Sequence, residues 1–168
     1  INFVTVARLV PQKALDRLIR IHSELIKNLG HKHNFYIIGD GPEKEKLEKI
    51  IKDYKVEDSF FLLGKKENPY PYVKEADYFC LLSQFEGYGM VLEEAKILNR
   101  SIIITDTAAR EAVLNYPNSV ILGNAEQEIY EGLERIIKEH KEKKQGDIEK
   151  AVYDNSKKIK EIIEVVGE

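Results

Sequence analysis

Six short runs of β-favouring residues punctuate this chain, and each is apolar along most of its length instead of at every second position. They are Phe3–Ala7, Asn34–Ile38, Ser59–Leu63, Tyr78–Leu82, Ser101–Thr105 and Ser119–Leu122. A strand with one wet face alternates polar and apolar side chains. A run without that alternation belongs to a strand covered on both faces, the usual condition inside a parallel sheet. Between these runs the periodicity changes to that of a helix. Leu15, Leu18, Ile19, His22, Leu25, Ile26 and Leu29 recur at helical spacing, and Gly30 supplies a stop. In "GDGPEKEKLEKIIKDY", Pro42 falls at the expected first helical position, with Leu47, Ile50, Ile51 and Tyr54 as the buried stripe. A helix over "QEIYEGLERIIKEHKEK" precedes a charged break, "HKEKKQGDIEK", and a last helix is expected over Asp147–Val166. Strands and helices in alternation with short links predict an α/β fold, a right-handed, doubly wound parallel sheet of Rossmann-like type. Ligands of such sheets sit beyond the carboxyl ends of the strands, at the point where strand order reverses. The loops of interest are therefore residues 8–13, 39–42, 64–68, 83–89 and 106–110.

A chain of 168 residues is expected to form one domain. At that size roughly 70% of the unfolded surface is buried, enough for a true core. The net charge of −3, with cations and anions interspersed, gives no general attraction for nucleic acid or anionic membrane. Cys80 is the single cysteine, so no internal disulfide forms, which fits a reducing compartment. No apolar run approaches the ~18 residues of a membrane span. The expected location is cytoplasmic, with the inner face of the membrane within reach of a longer protein. The opening "INFVTVA" lacks an initiator Met and reads as a strand already under way. The expectation is a domain excised from a longer chain.

Several motifs bear on chemistry. In "ARLVPQKALDRL", Arg8 follows the first strand and Lys13 precedes its helix. Together they could hold a diphosphate, Arg as a planar fork and Lys as a point charge; the alternative is two surface cations without a shared task. "GDGP" offers either a plain turn or a close approach to a base. It is not a dinucleotide fingerprint, because Lys44 stands where a third glycine is needed. The Tyr70-x-x-x-Lys74 spacing of a dehydrogenase is rejected, since Pro71 fits a helix start and not a helix interior. Cys80 reads as core, and His31 and His33 as loop residues without metal-spaced partners. No Asp-x-Asp pair occurs, so the usual carboxylates for a metal–diphosphate complex are missing and no metal site is expected.

The strongest signal is "SQFEGYGMVLEEA". Gly87 and Gly89 let backbone approach a ligand, and the amides of Gly89, Met90 and Val91 open a helix, an arrangement suited to an anion. Glu86 and Glu94 bracket that cradle. A carboxylate beside an anion site is useful if it grips hydroxyls, which points to phosphates in the middle and alcohols at both ends. A nucleotide sugar is such a ligand.

These residues resemble the C-terminal domain of the family 4 glycosyltransferases, which have the two-domain GT-B fold. The resemblance runs through "VARLVPQKALDRLI", "IIGDGPEKEKLE", "FLLG" and the Glu-x7-Glu segment "LLSQFEGYGMVLEEA" in the family's order. It implies that Arg8 and Lys13 hold the donor diphosphate and act on the leaving nucleotide, with Glu86 on the donor sugar near the reacting carbon. It further implies that Glu94 binds the ribose, that Gly87, Tyr88, Gly89, Met90 and Val91 meet the sugar and phosphate, and that Lys65 flanks the base. The implied activity is retaining, metal-independent transfer from a nucleoside diphosphate sugar, such as a UDP-sugar, to a glycan or lipid-linked acceptor. No cofactor is implied. Acceptor binding would fall mainly to an N-terminal domain of the same enzyme, absent from this chain, so the isolated domain is expected to be inactive. Ala7 and Ala14 stand where the family has glycines, Asn99 and Ser101 where glycine and proline are usual, and "TAAREAV" replaces a Gly-Gly-x-x-Glu segment while adding Arg110. Two other readings remain open: a related GT-B epimerase or phosphorylase, for which no pyridoxal phosphate lysine is marked, and a non-catalytic α/β module.

Overall fold

A computed structural model describes residues 1–140, together with Val152 and Lys157. Six strands, β1 (Asn2–Val6), β2 (Asn34–Ile38), β3 (Phe60–Gly64), β4 (Tyr78–Leu81), β5 (Ser101–Thr105) and β6 (Ser119–Leu122), form a single sheet. All neighbours are parallel, in the order β3-β2-β1-β4-β5-β6. The helices are α1 (Leu15–Leu29), α2 (Lys44–Asp53), α3 (Tyr70–Glu75), α4 (Met90–Ile97) and α5 (Glu126–Glu139). This is the predicted doubly wound α/β fold, and its order reverses between β1 and β4.

The core explains why the strands read as continuously apolar. Successive side chains point to opposite faces, and both faces are covered. Phe3, Phe35, Ile37, Phe60, Cys80 and Ile103 join Leu18, Ile19, Leu25, Leu47 and Leu133 on the side of α1, α2 and α5. Val4, Tyr36, Ile38, Phe79, Leu81, Ile102 and Ile104 join Val73, Leu92 and Val113 on the other. Cys80 is fully buried and its thiol pKa is pushed up by that burial.

Some details differ from the sequence pattern. α2 begins at Lys44, two residues beyond Pro42, because residues 42 and 43 form a turn held by the Lys44 amide on the Gly41 carbonyl. Tyr54 closes that helix at 40% exposure and is not part of its buried stripe; Leu47 and Ile51 carry it. The expected terminal helix over Asp147–Val166 lies outside the described residues except for Val152 and Lys157, which are helical.

His33 lies in the loop before β2, as expected, but its side chain is buried. It is 1% exposed, set edge-on to His22 at 4.7 Å between ring centroids, with Phe35 and Phe3 beside it. His22 shares a 2.9 Å hydrogen bond with Ser59 through Nε2, while His22 Nδ1 and both His33 ring nitrogens have no partner among the described residues. Burial disfavours the charged imidazoles, lowering His22 to about 2 and His33 to about 4. The folded state thus binds fewer protons than the unfolded chain below the ordinary histidine pKa near ~6.5, so stability falls as pH drops through that value. Denaturant unfolding at pH 7 and pH 5 is expected to show a loss on the order of 4 kcal/mol, and His33→Leu about half of it. Equal stability at both values would contradict this.

Candidate functional site

At the switch point, the loop leaving β1 is tied to its neighbours by main-chain bonds. On one side the Ala7 amide donates to Ile38 O and the Leu9 amide to Asp40 O, each at 3.0 Å, and the Glu43 amide donates to Leu9 O at 3.1 Å. The Gly39 amide reaches the β3 end at Gly64 O, 2.9 Å away. This close apposition accounts for the glycines of "GDGP". A Cβ on Gly39, whose φ is +146°, would lie 1.9 Å from Ala7 O, and one on Gly41 would lie 2.4 Å from Leu9 O. The glycines are required by protein backbone, whatever a ligand adds.

On its other side the same loop meets the segment after β4. The Gln84 and Phe85 amides both donate to Gln12 O, at 2.9 and 3.4 Å. The Thr105 hydroxyl donates to Ser83 O at 2.6 Å, and the Asn124 side-chain Nδ2 to Gln84 O at 2.9 Å. Arg17 reaches from α1 to Leu82 O at 3.1 Å, and to Asn124 O and Oδ1 at 2.8 and 3.1 Å. None of Arg17, Thr105 or Asn124 was marked by the sequence pattern. Isolated polar residues carry no periodic signal, and only the fold brings their main-chain partners within reach.

Two of the clefts beside the β1 loop are lined by predicted residues. The larger, about 710 Å³, is lined by Arg8, Lys65 and Lys66, by Gly39–Gly41, and by Val91 and Glu94 of α4. It gathers four of the predicted residues: Arg8, Lys65, Val91 and Glu94. Cations from the ends of β1 and β3 therefore face a carboxylate on α4. The second cleft, about 450 Å³, is lined by Glu86, Gly87, Gln12, Gln84, Asp106 and Asn124 among others. It takes two more, Glu86 and Gly87. A Cβ on Gly87 would meet nothing within 4 Å, so protein packing does not demand that glycine.

The remaining predicted residues line neither cleft. Lys13 is ion-paired with Glu86, whose Oε2 also accepts from the Ser83 hydroxyl at 3.2 Å; both paired side chains are largely buried, 14% and 13% exposed. Gly89 has φ +68° and precedes α4, whose first turn has no side-chain cap. Met90 opens that helix at 75% exposure, and Tyr88, at 60%, donates from its hydroxyl to Glu93 at 3.2 Å. Lys96 on the same Glu93 holds its carboxyl below the usual range. Arg110 forks onto Asp106 through Nη1, at 2.8 and 3.0 Å. α3 starts at Tyr70, so Tyr70 and Lys74 belong to one short helix with Pro71 in its first turn. Among the described residues, no three His, Cys, Asp or Glu side chains are grouped for a metal, and no helix is long and apolar enough to cross a membrane.

The family model for group 1 glycosyl transferases matches residues 1–155, and this chain belongs to that family. Among similar proteins is the N-acetylgalactosamine-N,N'-diacetylbacillosaminyl-diphospho-undecaprenol 4-alpha-N-acetylgalactosaminyltransferase of Campylobacter jejuni, 29% identical over 84% of this chain and 38% of that protein. Another is the poly(ribitol-phosphate) alpha-N-acetylglucosaminyltransferase of Staphylococcus aureus, 33% identical over 60% of this chain and 20% of that protein. The chain therefore spans well under half the length of these relatives. Solved structures sharing the fold include an S. aureus TarM variant with Fondaparinux, alpha-GlcNAc-glycerol and UDP, at TM-score 0.74 and 24% identity over 97% of this chain and 32% of TarM. WaaG, a glycosyltransferase of lipopolysaccharide biosynthesis, superposes at 0.73 with 16% identity over 82% of this chain and 38% of its own.

Because backbone oxygen occupies the space a side chain would need, Gly41→Ala is expected to destabilise the protein by roughly 2–3 kcal/mol, whereas Gly87→Ala costs under about 1 kcal/mol. Chemical denaturation of the two variants checks this, and equal losses would contradict the packing account.

Proposed function

We propose that this chain is the donor-binding half of a retaining glycosyltransferase that moves a sugar from a nucleoside diphosphate sugar to a glycan or lipid-linked acceptor. The observation that carries the reading is the cleft at the switch point, where Arg8, Lys65 and Lys66 face Glu94. Its cations suit a pyrophosphate, and its carboxylate suits a ribose diol. The neighbouring cleft, with Glu86 at its wall, then lies where the sugar extends. The names of the relatives, with undecaprenol-linked and poly(ribitol-phosphate) acceptors, support the acceptor class.

In this reading the protein's main catalytic contribution is electrostatic. As the bond from sugar to diphosphate breaks, negative charge grows on the leaving oxygen, and Arg8 and the uncapped first turn of α4 offset it in place of a metal. Glu86 holds sugar hydroxyls near the reacting carbon, with Lys13 and Ser83 fixing its carboxylate. The acceptor is brought by an N-terminal domain of the same enzyme, so the isolated chain binds donor without turnover. Nucleic acid is not a partner of a chain with this charge balance.

Calorimetric titration of the full-length enzyme with UDP and with GDP is expected to show saturable binding of one of them. Arg8→Ala and Glu94→Ala should each weaken it by about 10- to 100-fold, the worth of a charge-assisted hydrogen bond. Wild-type affinity in both variants would overturn the assignment, and absence of binding by either nucleotide would leave a non-catalytic module as the reading.

A further inference from the structure

A third cleft, about 310 Å³, adjoins the second, and Gln84 lines both. None of the predicted site residues lies in it. Its charged groups are already engaged: Lys46 with Glu43 at 2.8 Å, Arg20 with Asp16 at 3.3 Å and with Glu126 at 3.4 Å, and Arg17 with the carbonyls of Leu82 and Asn124. No cation is therefore left over to draw in an anion. One acceptor is left over. Glu43 lines the cleft at 8% exposure, and its Oε2 is enclosed without a hydrogen-bond donor among the described residues. A buried carboxylate oxygen in that state is costly, and a ligand hydroxyl in the cleft supplies the donor it lacks.

The rim toward the second cleft has a matching chemistry. The side chains of Gln12 and Gln84 have no hydrogen-bond partner among the described residues, and Phe85, on the same wall, is 68% exposed. Their backbone is held, because the Gln84 and Phe85 amides donate to Gln12 O and Gln84 O accepts from Asn124 Nδ2. A fixed main chain thus presents two free carboxamides, which both donate and accept, beside an aromatic face. A sugar ring fits that set, with hydroxyls for the carboxamides and Glu43 and C–H groups for Phe85. We propose that the third cleft and its Gln84 rim bind an uncharged oligosaccharide, the glycan part of the acceptor, with Phe85 as the platform for one of its rings. The acceptor role rests on the reading of Glu86 as a donor-sugar residue, since Gln84, Phe85 and Glu86 line one cleft and a glycan held by the first two ends beside the third.

The test is saturation-transfer NMR on the full-length protein, without nucleotide, using α- and β-linked tetrasaccharides of glucose, mannose, galactose and N-acetylglucosamine. At least one is expected to bind saturably. Phe85→Ala, Gln84→Ala and Glu43→Gln should each weaken it by about three- to tenfold, while Phe85→Tyr, which keeps the ring, retains it. The third cleft shares no lining residue with the cationic cleft, so affinity for UDP or GDP should stay within about twofold in every variant. Failure of every tetrasaccharide to bind, or binding unchanged in all three weakened variants, overturns the proposal. Binding confined to a sulfated tetrasaccharide and lost at high salt overturns it as well, because the ligand is then an anion. Glycan binding that depends on Phe85 in a protein that takes neither UDP nor GDP keeps the glycan site and overturns the donor site, and with it the acceptor role.

Discussion

The chain leaving β1 is bound by main-chain hydrogen bonds on both of its sides, and the carboxyl-end face of the sheet is organised around that segment. Toward β2, the bonds of Ala7, Leu9 and Glu43 extend strand-like pairing past the end of the sheet. Toward β4, Gln12 O receives two amides from the following loop, and the Lys13–Glu86 ion pair reinforces the junction. A loop pinned in this way becomes a partition. The cationic cleft lies on one side of it and the carboxylate–carboxamide cleft on the other. A parallel sheet reversing its order between β1 and β4 creates this position, because the crossovers on either side depart to opposite faces.

Partitioning has an electrostatic consequence. A nucleotide sugar, the ligand proposed, carries its negative charge in the middle and its alcohols at either end, and the two clefts divide the charged side chains between them. Glu86 is balanced by Lys13 and Asp106 by Arg110, while Arg8, Lys65 and Lys66 line the other cleft with Asp40 and Glu94. The departures from the family pattern are absorbed without losing the loop. Ala14 adopts a left-handed backbone at φ 50° although it is not glycine, at a cost of roughly 1–2 kcal/mol, and Asn99 does the same at φ 54°, where an asparagine is better tolerated.

Much of the fold was legible because burial on two faces leaves a direct trace: Phe3 and Val4, adjacent in sequence, serve opposite cores. Gly30 stops α1 as its position implies, with its amide on Ile26 O. Local geometry was less legible. Pro42 precedes its helix by a turn, since the glycines around it answer to the β1 loop and not to helix initiation alone. His33 is in a loop, as read, but its burial was not legible, because its neighbours in sequence are polar and only the fold brings it against His22. At the site, the glutamates and cations carried recognisable spacing, whereas the division into two clefts and the anchoring by Arg17, Thr105 and Asn124 depend on contacts between residues far apart in sequence.

The measurement that bears most directly on the partition is a crystal structure of the full-length protein with the proposed nucleoside diphosphate sugar bound. Phosphate oxygens are expected beside Arg8, ribose hydroxyls on Glu94, and the sugar ring across the β1 loop against Glu86. A donor lying wholly within one cleft, or bound away from both, would contradict it.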